Sequence, residues 1–247
     1  MSSQEPSMIG PWSFSDSGFL SGLDNMRMDQ ELLDKNSNEQ KVFPSLRFFG
    51  WNEPTVTYGY LMNAEKATTW ALSQNVKNVV VRPTGGGVAL HQPSDISLSL
   101  FWPKELGLLP ETPRTCYAEI HRILKDGLED YLSESKINLD PSLHSKKENS
   151  CETAPTEKLD RFSLCFQEPV CNDILINQEK IVGGALRITK KALLYQGTLQ
   201  LQDNWNRATL SENLLNSFKR YFSLPESLEK TVKKEKTSDP FSFSLSN

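Results

Sequence analysis

"VVVRPTGGGVALHQPSDISLSLFW", from Val79 to Trp102, poses the central question of this chain. An apolar run ends in Arg82-Pro83-Thr84. Three glycines follow, then a lone His91, then a second run in which apolar and small residues alternate. Two readings of the glycines stand side by side. In one they are a glycine-rich hairpin turn. In the other, backbone must approach a ligand closely, with N–H groups facing an oxyanion or phosphate. A P-loop and a dinucleotide fingerprint are both excluded, because neither Gly-Lys-Ser/Thr nor G-x-G-x-x-G follows.

The flanking sequence predicts a mixture of helices and strands. "SGLDNMRMDQELL" reads as a helix with Leu23, Met26, Leu32 and Leu33 on one face and Asp29 and Glu31 outside it. "SLRFFGW" and "TVTYGY" read as strands around the turn signal "NEP", and "AEKATTWALSQN" as a short helix. "NVVV" reads as a buried strand entering the glycines and "ISLSLFW" as an alternating one leaving them. "ETPRTCYAEIHRILKDGLEDYL" is a helix with Pro113 at its first position. Tyr117, Ile120, Ile123, Leu124, Leu128, Tyr131 and Leu132 form its apolar stripe, with His121 at the boundary. Residues 133–160 read as a polar surface loop, and order returns at "RFSLCF".

"NDILI", "KIVGGALRI" and "ALLYQGTLQL" then read as three consecutive strands of an antiparallel meander. "SENLLNSFKRYF" reads as a helix capped by Ser211, with Leu214, Leu215, Phe218, Tyr221 and Phe222 inward. The expected fold class is α+β, with a mixed, largely antiparallel sheet flanked by helices. Residues 1–224 form the expected catalytic domain and 225–247 a polar tail.

Composition narrows the function. The chain has 247 residues and a net charge of −4, without the basic footprint of a nucleic-acid binder. No apolar run approaches the roughly 20 residues of a membrane span, and "MSSQEPSMIGPW" lacks the pattern of a secretory signal. Cys116, Cys151, Cys165 and Cys171 are irregularly spaced, which fits a reducing cytoplasm better than a disulfide scaffold. With no C-x-x-C pair, and His144 in a polar segment, no metal site is expected.

A second glycine stretch, "EKIVGGALR" (Glu179–Arg187), puts Gly183-Gly184 inside a strand that Lys180 begins. Glycines within a strand mark a bulge or the close approach of a ligand. The two stretches could line one cleft, but periodicity does not show that they meet.

Five stretches in order resemble the lipoate–protein ligase and octanoyltransferase superfamily, whose catalytic domain is related to that of biotin–protein ligases. They are "WSFSDSGFLSGLDNMRMDQELL", "LRFFGWNEPTVTYGYLMN", "RPTGGGVALH", "CFQEPVCNDIL" and "KIVGGALRITKKALLYQGTL". The resemblance runs from about Trp12 to about Gln202. It implies that an octanoyl or lipoyl group is attached to a lysine of lipoyl domains in 2-oxoacid dehydrogenase complexes and the glycine cleavage system. Arg82, Gly85, Gly86, Gly87, His91, Gly183, Gly184 and Ala185 would bind substrate, and Lys180 would be catalytic.

Two chemistries remain open. "SLCFQEPV" resembles the segment that carries the nucleophile of cysteine-dependent octanoyltransferases, closest to this chain, which makes Cys165 a catalytic thiol. The donor would then be octanoyl–acyl carrier protein, and no cofactor would be needed. A thiolate needs a nearby cation, which Lys180 could supply, and the glycine N–H groups could hold the oxyanion. The alternative is a ligase that activates free lipoate with ATP and Mg, to which Gly87 and "NDI" bear a resemblance. The short segment after Phe222 leaves no room for a sizeable accessory domain, which leans toward a transferase or a split ligase.

A third reading is an inactive paralogue that only binds lipoyl domains, supported by Gln92 where relatives carry an acid. His91 reads as a strand-end cap or a loop-orienting group. Arg82 pairs either with a substrate phosphate or with an acid such as Asp95. Trp70, Phe48, Phe49 and Trp51 read as core, and Cys171 as a packing residue.

Overall fold

The computed structural model of the chain describes residues 12–37, 43–134, 144–145, 170–202 and 204–223. In chain order these form β1 (Ser13–Leu20), α1 (Gly22–Ser37), β2 (Ser45–Trp51), β3 (Thr55–Gly59), α2 (Ala64–Ser73), β4 (Asn78–Arg82), β5 (Val88–His91) and β6 (Ile96–Pro103). Then come α3 (Pro113–Glu134), β7 (His144–Ser145), β8 (Ile174–Ile176), β9 (Glu179–Ile188), β10 (Ala192–Leu199) and α4 (Arg207–Tyr221).

Seven strands form one sheet in the order β1-β2-β6-β10-β9-β8-β7, and β4-β3-β5 form a second. Only β1–β2 and β3–β4 are parallel pairs among the described strands, so the sheets are mixed and largely antiparallel, as expected. The meander β8–β9–β10 is also as expected.

Alternation in β6 explains the layers. Ile96, Leu98, Leu100 and Trp102 join Leu46 and Phe48 of β2 and Leu193, Tyr195 and Leu199 of β10 on one face, under α3 and α4. Burying each such side chain contributes about 1.5–3 kcal/mol. Phe101, Ala192 and Leu194 face the other way and pack against Leu33 of α1. The smaller sheet has its own core, in which Val56 and Val88 meet Ala67 and Ala71 of α2. No helix among the described residues is long and apolar enough to cross a membrane.

Several local expectations are corrected. "NVVV" is the edge strand of the small sheet rather than a buried strand, and Val81 is 46% exposed. α4 starts four residues before Ser211, capped by Asn206, whose side chain accepts from Thr209 N–H. "SFSDSGFL" forms β1, a strand its serines and aspartate concealed. Most of the polar loop expected over 133–160, and all of the tail over 225–247, lie outside the described residues.

The largest correction concerns α1. Leu23, expected inward, is exposed, while Asp29, expected outward, is completely buried. Asp29 Oδ1 accepts from Arg47 Nη2 at 2.7 Å and from Ser99 Oγ at 2.8 Å, and Oδ2 accepts from Gln196 Nε2 at 2.6 Å. Arg47, itself buried, also donates to Asn25 Oδ1 and O, and Asn25 Nδ2 donates to Gly50 O. Gln196 Oε1 in turn accepts from Thr84 Oγ1 at 2.7 Å. One carboxylate thus ties α1, β2, β6 and β10 to the residue that precedes the three glycines.

Removing one partner of a buried ion pair strands the other charge. Asp29→Ala should therefore lower the unfolding free energy by about 3–5 kcal/mol, whereas Leu23→Ala should stay within about 0.5 kcal/mol of the parent protein. Urea unfolding followed by circular dichroism measures both; equal costs for the two substitutions would contradict this picture.

Candidate active site

The three glycines do not form a hairpin. β4 and β5 flank them, yet both pair with β3 rather than with each other. The loop is instead wrapped around the buried Arg82. Nη2 donates to Gly85 O at 2.6 Å and to Gly87 O at 2.9 Å, Nε donates to Gly85 O at 3.1 Å, and Nη1 donates to Thr57 O and Oγ1. Asp95 is not among its partners in the described residues. It accepts from Gln92 N–H, and burial pushes its carboxyl up to about 6.

In a trans peptide the C=O of one residue and the N–H of the next point opposite ways. Because Gly85 O faces Arg82, Gly86 N–H faces away from it, and Gly85 and Gly86 line an open cavity of about 380 Å³. Gly86 N–H has no partner among the described residues, whereas Gly85 N–H donates to Leu186 O. Gly86 has φ of 86°, where a Cβ is disfavoured. Gly59 backs the loop so closely that a Cβ there would stand 2.3 Å from Gly86 O.

The second glycine stretch meets the first. Gly184, Ala185 and Leu186 line the same outer cavity, and Arg187 Nη1 donates to Pro83 O. A second, inner cavity of about 40 Å³ is walled by Met26, Phe49, Trp51 and Ala89 together with polar residues such as Arg82 and Gln196. Gly183, Gly184 and Ala185 line it too, so Gly184 and Ala185 border both spaces. Phe49 and Trp51 are thus buried, as expected of core residues, but they also wall a cavity.

A hydrogen-bonded chain closes the inner cavity. Trp51 Nε1 donates to Ser97 Oγ, which is hydrogen-bonded to Thr198 Oγ1 at 2.7 Å. Thr198 Oγ1 meets His91 Nδ1 at 3.2 Å, and His91 Nε2 meets Thr57 Oγ1 at 2.8 Å. The imidazole stacks on Trp51 with ring centroids 4.1 Å apart. Burial, and then the charge of Arg82, lower its pKa to about 3, so it is neutral near pH 7. Both nitrogens of His91 are thus engaged, at the end of β5 and on the wall of the inner cavity.

Lys180 lies beside this junction. Its ammonium makes a 2.8 Å ion pair with Asp173 Oδ2, and both side chains are buried. The lysine side chain crosses Gly183 so closely that a Cβ there would be 2.3 Å from Cε and 2.7 Å from Nζ. Asp173 Oδ1 accepts from Tyr117 O–H at 2.5 Å, and Asp173 Oδ2 also accepts from Val170 N–H at 2.7 Å. His121 is buried rather than at the surface. It stacks on Tyr117 at 3.9 Å and meets Tyr195 O–H through Nε2 at 2.8 Å. Burial, then the charge of Lys180, lower its pKa to about 3.

The structure therefore gathers Arg82, Gly85, Gly86, His91, Gly183, Gly184 and Ala185 around two adjoining cavities, with Gly87 bound to Arg82 and Lys180 against Gly183. Cys165 lies outside the described residues. Cys171 is disulfide-bonded and lines the outer cavity, so packing is not its whole role. Sequence reading missed Tyr117, absorbed into an apolar stripe, and Asp173. The available signal for Asp173 was an acid immediately before a buried apolar strand, where only a cation or donors can stabilise it.

Residues 21–236 match a family model described as the lipoyl protein ligase A/B catalytic domain. The octanoyltransferase LipM of Geobacillus kaustophilus is 30% identical over 227 residues, covering 91% of this chain and 76% of that protein. The octanoyltransferase LipM of Bacillus subtilis is 31% identical over 196 residues, covering 77% of this chain and 65% of that one. The fold is similar to that of lipoate-protein ligase A bound with ATP, with a TM-score of 0.63 and 15% identity over 92% of this chain and 90% of that one. At that identity the likeness concerns the fold.

The glycine geometry makes a sharp comparison. Gly59→Ala forces a methyl into the Gly86 carbonyl and should cost about 1–3 kcal/mol. Gly85→Ala, with nothing nearer than Leu186 O at 3.7 Å, should be tolerated. Paired denaturant titrations test this, and a Gly85→Ala cost matching that of Gly59→Ala would refute the packing described.

Proposed function

We propose that this chain, which belongs to the lipoyl protein ligase A/B catalytic-domain family, moves an octanoyl group from acyl carrier protein to a lysine of a lipoyl domain through a Cys165 thioester. It is an enzyme of protein lipoylation, as its octanoyltransferase relatives indicate. Residues 1–224 form the catalytic domain in this reading. The observation that carries it is the junction at Gly184 and Ala185. An inner cavity of about 40 Å³ shares these two residues with an outer cavity of about 380 Å³ that Gly85 and Gly86 border, close to the Lys180 ion pair, and the outer one has room for an acyl chain.

The chemistry follows from these positions. The Cys165 thiolate attacks the carbonyl of the donor thioester. A new C–S bond forms, the old one breaks, and the departing thiol of the carrier takes up the proton that Cys165 gave up. A neutral lysine amine of the acceptor then attacks the enzyme thioester. The C–N bond forms, the C–S bond breaks, and the amine proton returns to the Cys165 sulfur. Amide formation from a thioester is downhill, so no ATP is consumed. Lys180 and the Gly86 amide stabilise the oxyanion of both steps, the kind of contribution whose loss costs about 10²–10³ in rate. Val170 and Cys171, shortly after Cys165 in sequence, line the outer cavity, which supports bringing that segment to the reaction.

The second reading, an ATP-dependent ligase, draws on Gly87 and on the fold of the ATP-bound ligase. Against it, both oxygens of Asp173, the acid beside the outer cavity, are committed to Lys180, Tyr117 and Val170. They fit an internal ion pair better than a magnesium ligand, which needs free carboxylate oxygen. Retention of the Lys180 arrangement also weighs against an inactive paralogue.

Reduced protein incubated with octanoyl–acyl carrier protein should carry an octanoyl adduct that hydroxylamine removes. Cys165→Ser should lose the adduct, because a serine hydroxyl without its own base is a poor nucleophile, and Cys171→Ser should keep it. An adduct that survives Cys165→Ser would sink the proposed nucleophile.

A further inference from the structure

Tyr117 and Asp173 have no part in the chemistry just described, yet they join its two halves. β8 begins opposite Val182, and beyond that point no described residue pairs as a strand with the side of β9 that faces β8. Gly184 N–H, two residues further on, is instead met by the Tyr117 hydroxyl at 3.0 Å. The same hydroxyl donates its proton to Asp173 Oδ1, while Asp173 Oδ2 holds the Lys180 ammonium. A single phenol from α3 thus fixes both the backbone at the junction of the two cavities and the carboxylate that aims the lysine.

The turn carrying Asp173 is closed on itself, with Val170 N–H donating to the carboxylate and Asp173 N–H donating to Val170 O. That turn defines one anchor of the carboxylate, and Tyr117 defines the other. The phenol ring is held in turn by its stack on His121, which Tyr195 anchors. A side chain held only to fill space would need neither the hydroxyl nor two polar partners.

We infer that Tyr117 and Asp173 are positioning residues, which act by holding the Lys180 ammonium and the Gly184 backbone in register with the acyl carbonyl. This rests on the reading of the chain as an acyl transferase. Without the hydroxyl, Asp173 loses one donor and Gly184 N–H loses its acceptor. Asp173 can then swing with Lys180 still paired to it, and the ammonium moves off the carbonyl. Tyr117 also lines the outer cavity, but Tyr117→Phe keeps its ring there and removes one oxygen, so binding survives while turnover falls.

Steady-state transfer from octanoyl–acyl carrier protein to apo lipoyl domain tests this in wild-type, Tyr117→Phe, Asp173→Asn and Lys180→Ala proteins, and in the double variant Tyr117→Phe/Lys180→Ala. Tyr117→Phe should lower kcat at least about 30-fold, leave both KM values within about threefold, and add less than about threefold to the Lys180→Ala defect, because residues acting through one another are not additive. Asp173→Asn should behave alike. Leu132→Ala, a packing change elsewhere on α3, should leave kcat within about twofold even where it lowers the melting temperature as much. Active wild-type protein with an unchanged Tyr117→Phe kcat, a raised donor KM at unchanged kcat, or a fully additive double variant each overturns the positioning role alone. Wild-type protein that transfers nothing overturns the functional reading, and this inference with it.

Discussion

The buried carboxylate of Asp29 is the interaction on which the rest of the arrangement depends. It is completely enclosed, and its oxygens are met by Arg47, Ser99 and Gln196. These residues sit on three adjacent strands of the large sheet, and Asp29 itself sits on α1. A carboxylate this deep is stable only with such a full set of donors. The geometry that satisfies it leaves Gln196 with its carbonyl oxygen turned to Thr84. The position of the glycine loop is therefore set from inside the molecule, by a charge that no ligand needs to touch.

From Thr84 onward the loop is shaped by a second buried cation. Arg82 draws in the carbonyls of Gly85 and Gly87, which turns the Gly86 amide away from it, in a loop that lines the outer cavity. Gly59 supplies the space behind it, and β9 supplies the surface in front, where Leu186 accepts from Gly85 N–H. Gly59 has a neighbour that excludes a side chain, and Gly86 has a φ of 86° that disfavours one. Arg82 directs its donors to the loop, to the carbonyls of Gly85 and Gly87, and to Thr57.

Where chain-local physics decides, the sequence was readable. α3 and the β8–β9–β10 meander follow from periodicity, because each element buries one regular face. The class of fold and the two glycine stretches were legible for the same reason. What failed was everything set by distant partners. Helical periodicity assigns a charged residue such as Asp29 to solvent, since nothing within α1 reveals Arg47 across the interior. His121 looked like a boundary residue because its partner, Tyr195, lies far along the chain. Tyr117 was counted as apolar because its ring is, while its hydroxyl does the joining. β1 escaped because an edge strand paired on one side can carry serines and an aspartate. Whether the two glycine stretches share a cleft is a question of topology, and only the fold answers it.

The central claim is that this junction of cavities transfers an octanoyl group without nucleotide. It is tested most directly by the mass of an apo lipoyl domain incubated with this protein under two conditions. One contains octanoyl–acyl carrier protein and no ATP; the other contains free lipoate with ATP and magnesium. The account predicts that the domain gains one octanoyl group on its lysine in the first mixture and stays unmodified in the second. A domain modified only in the second mixture would contradict it.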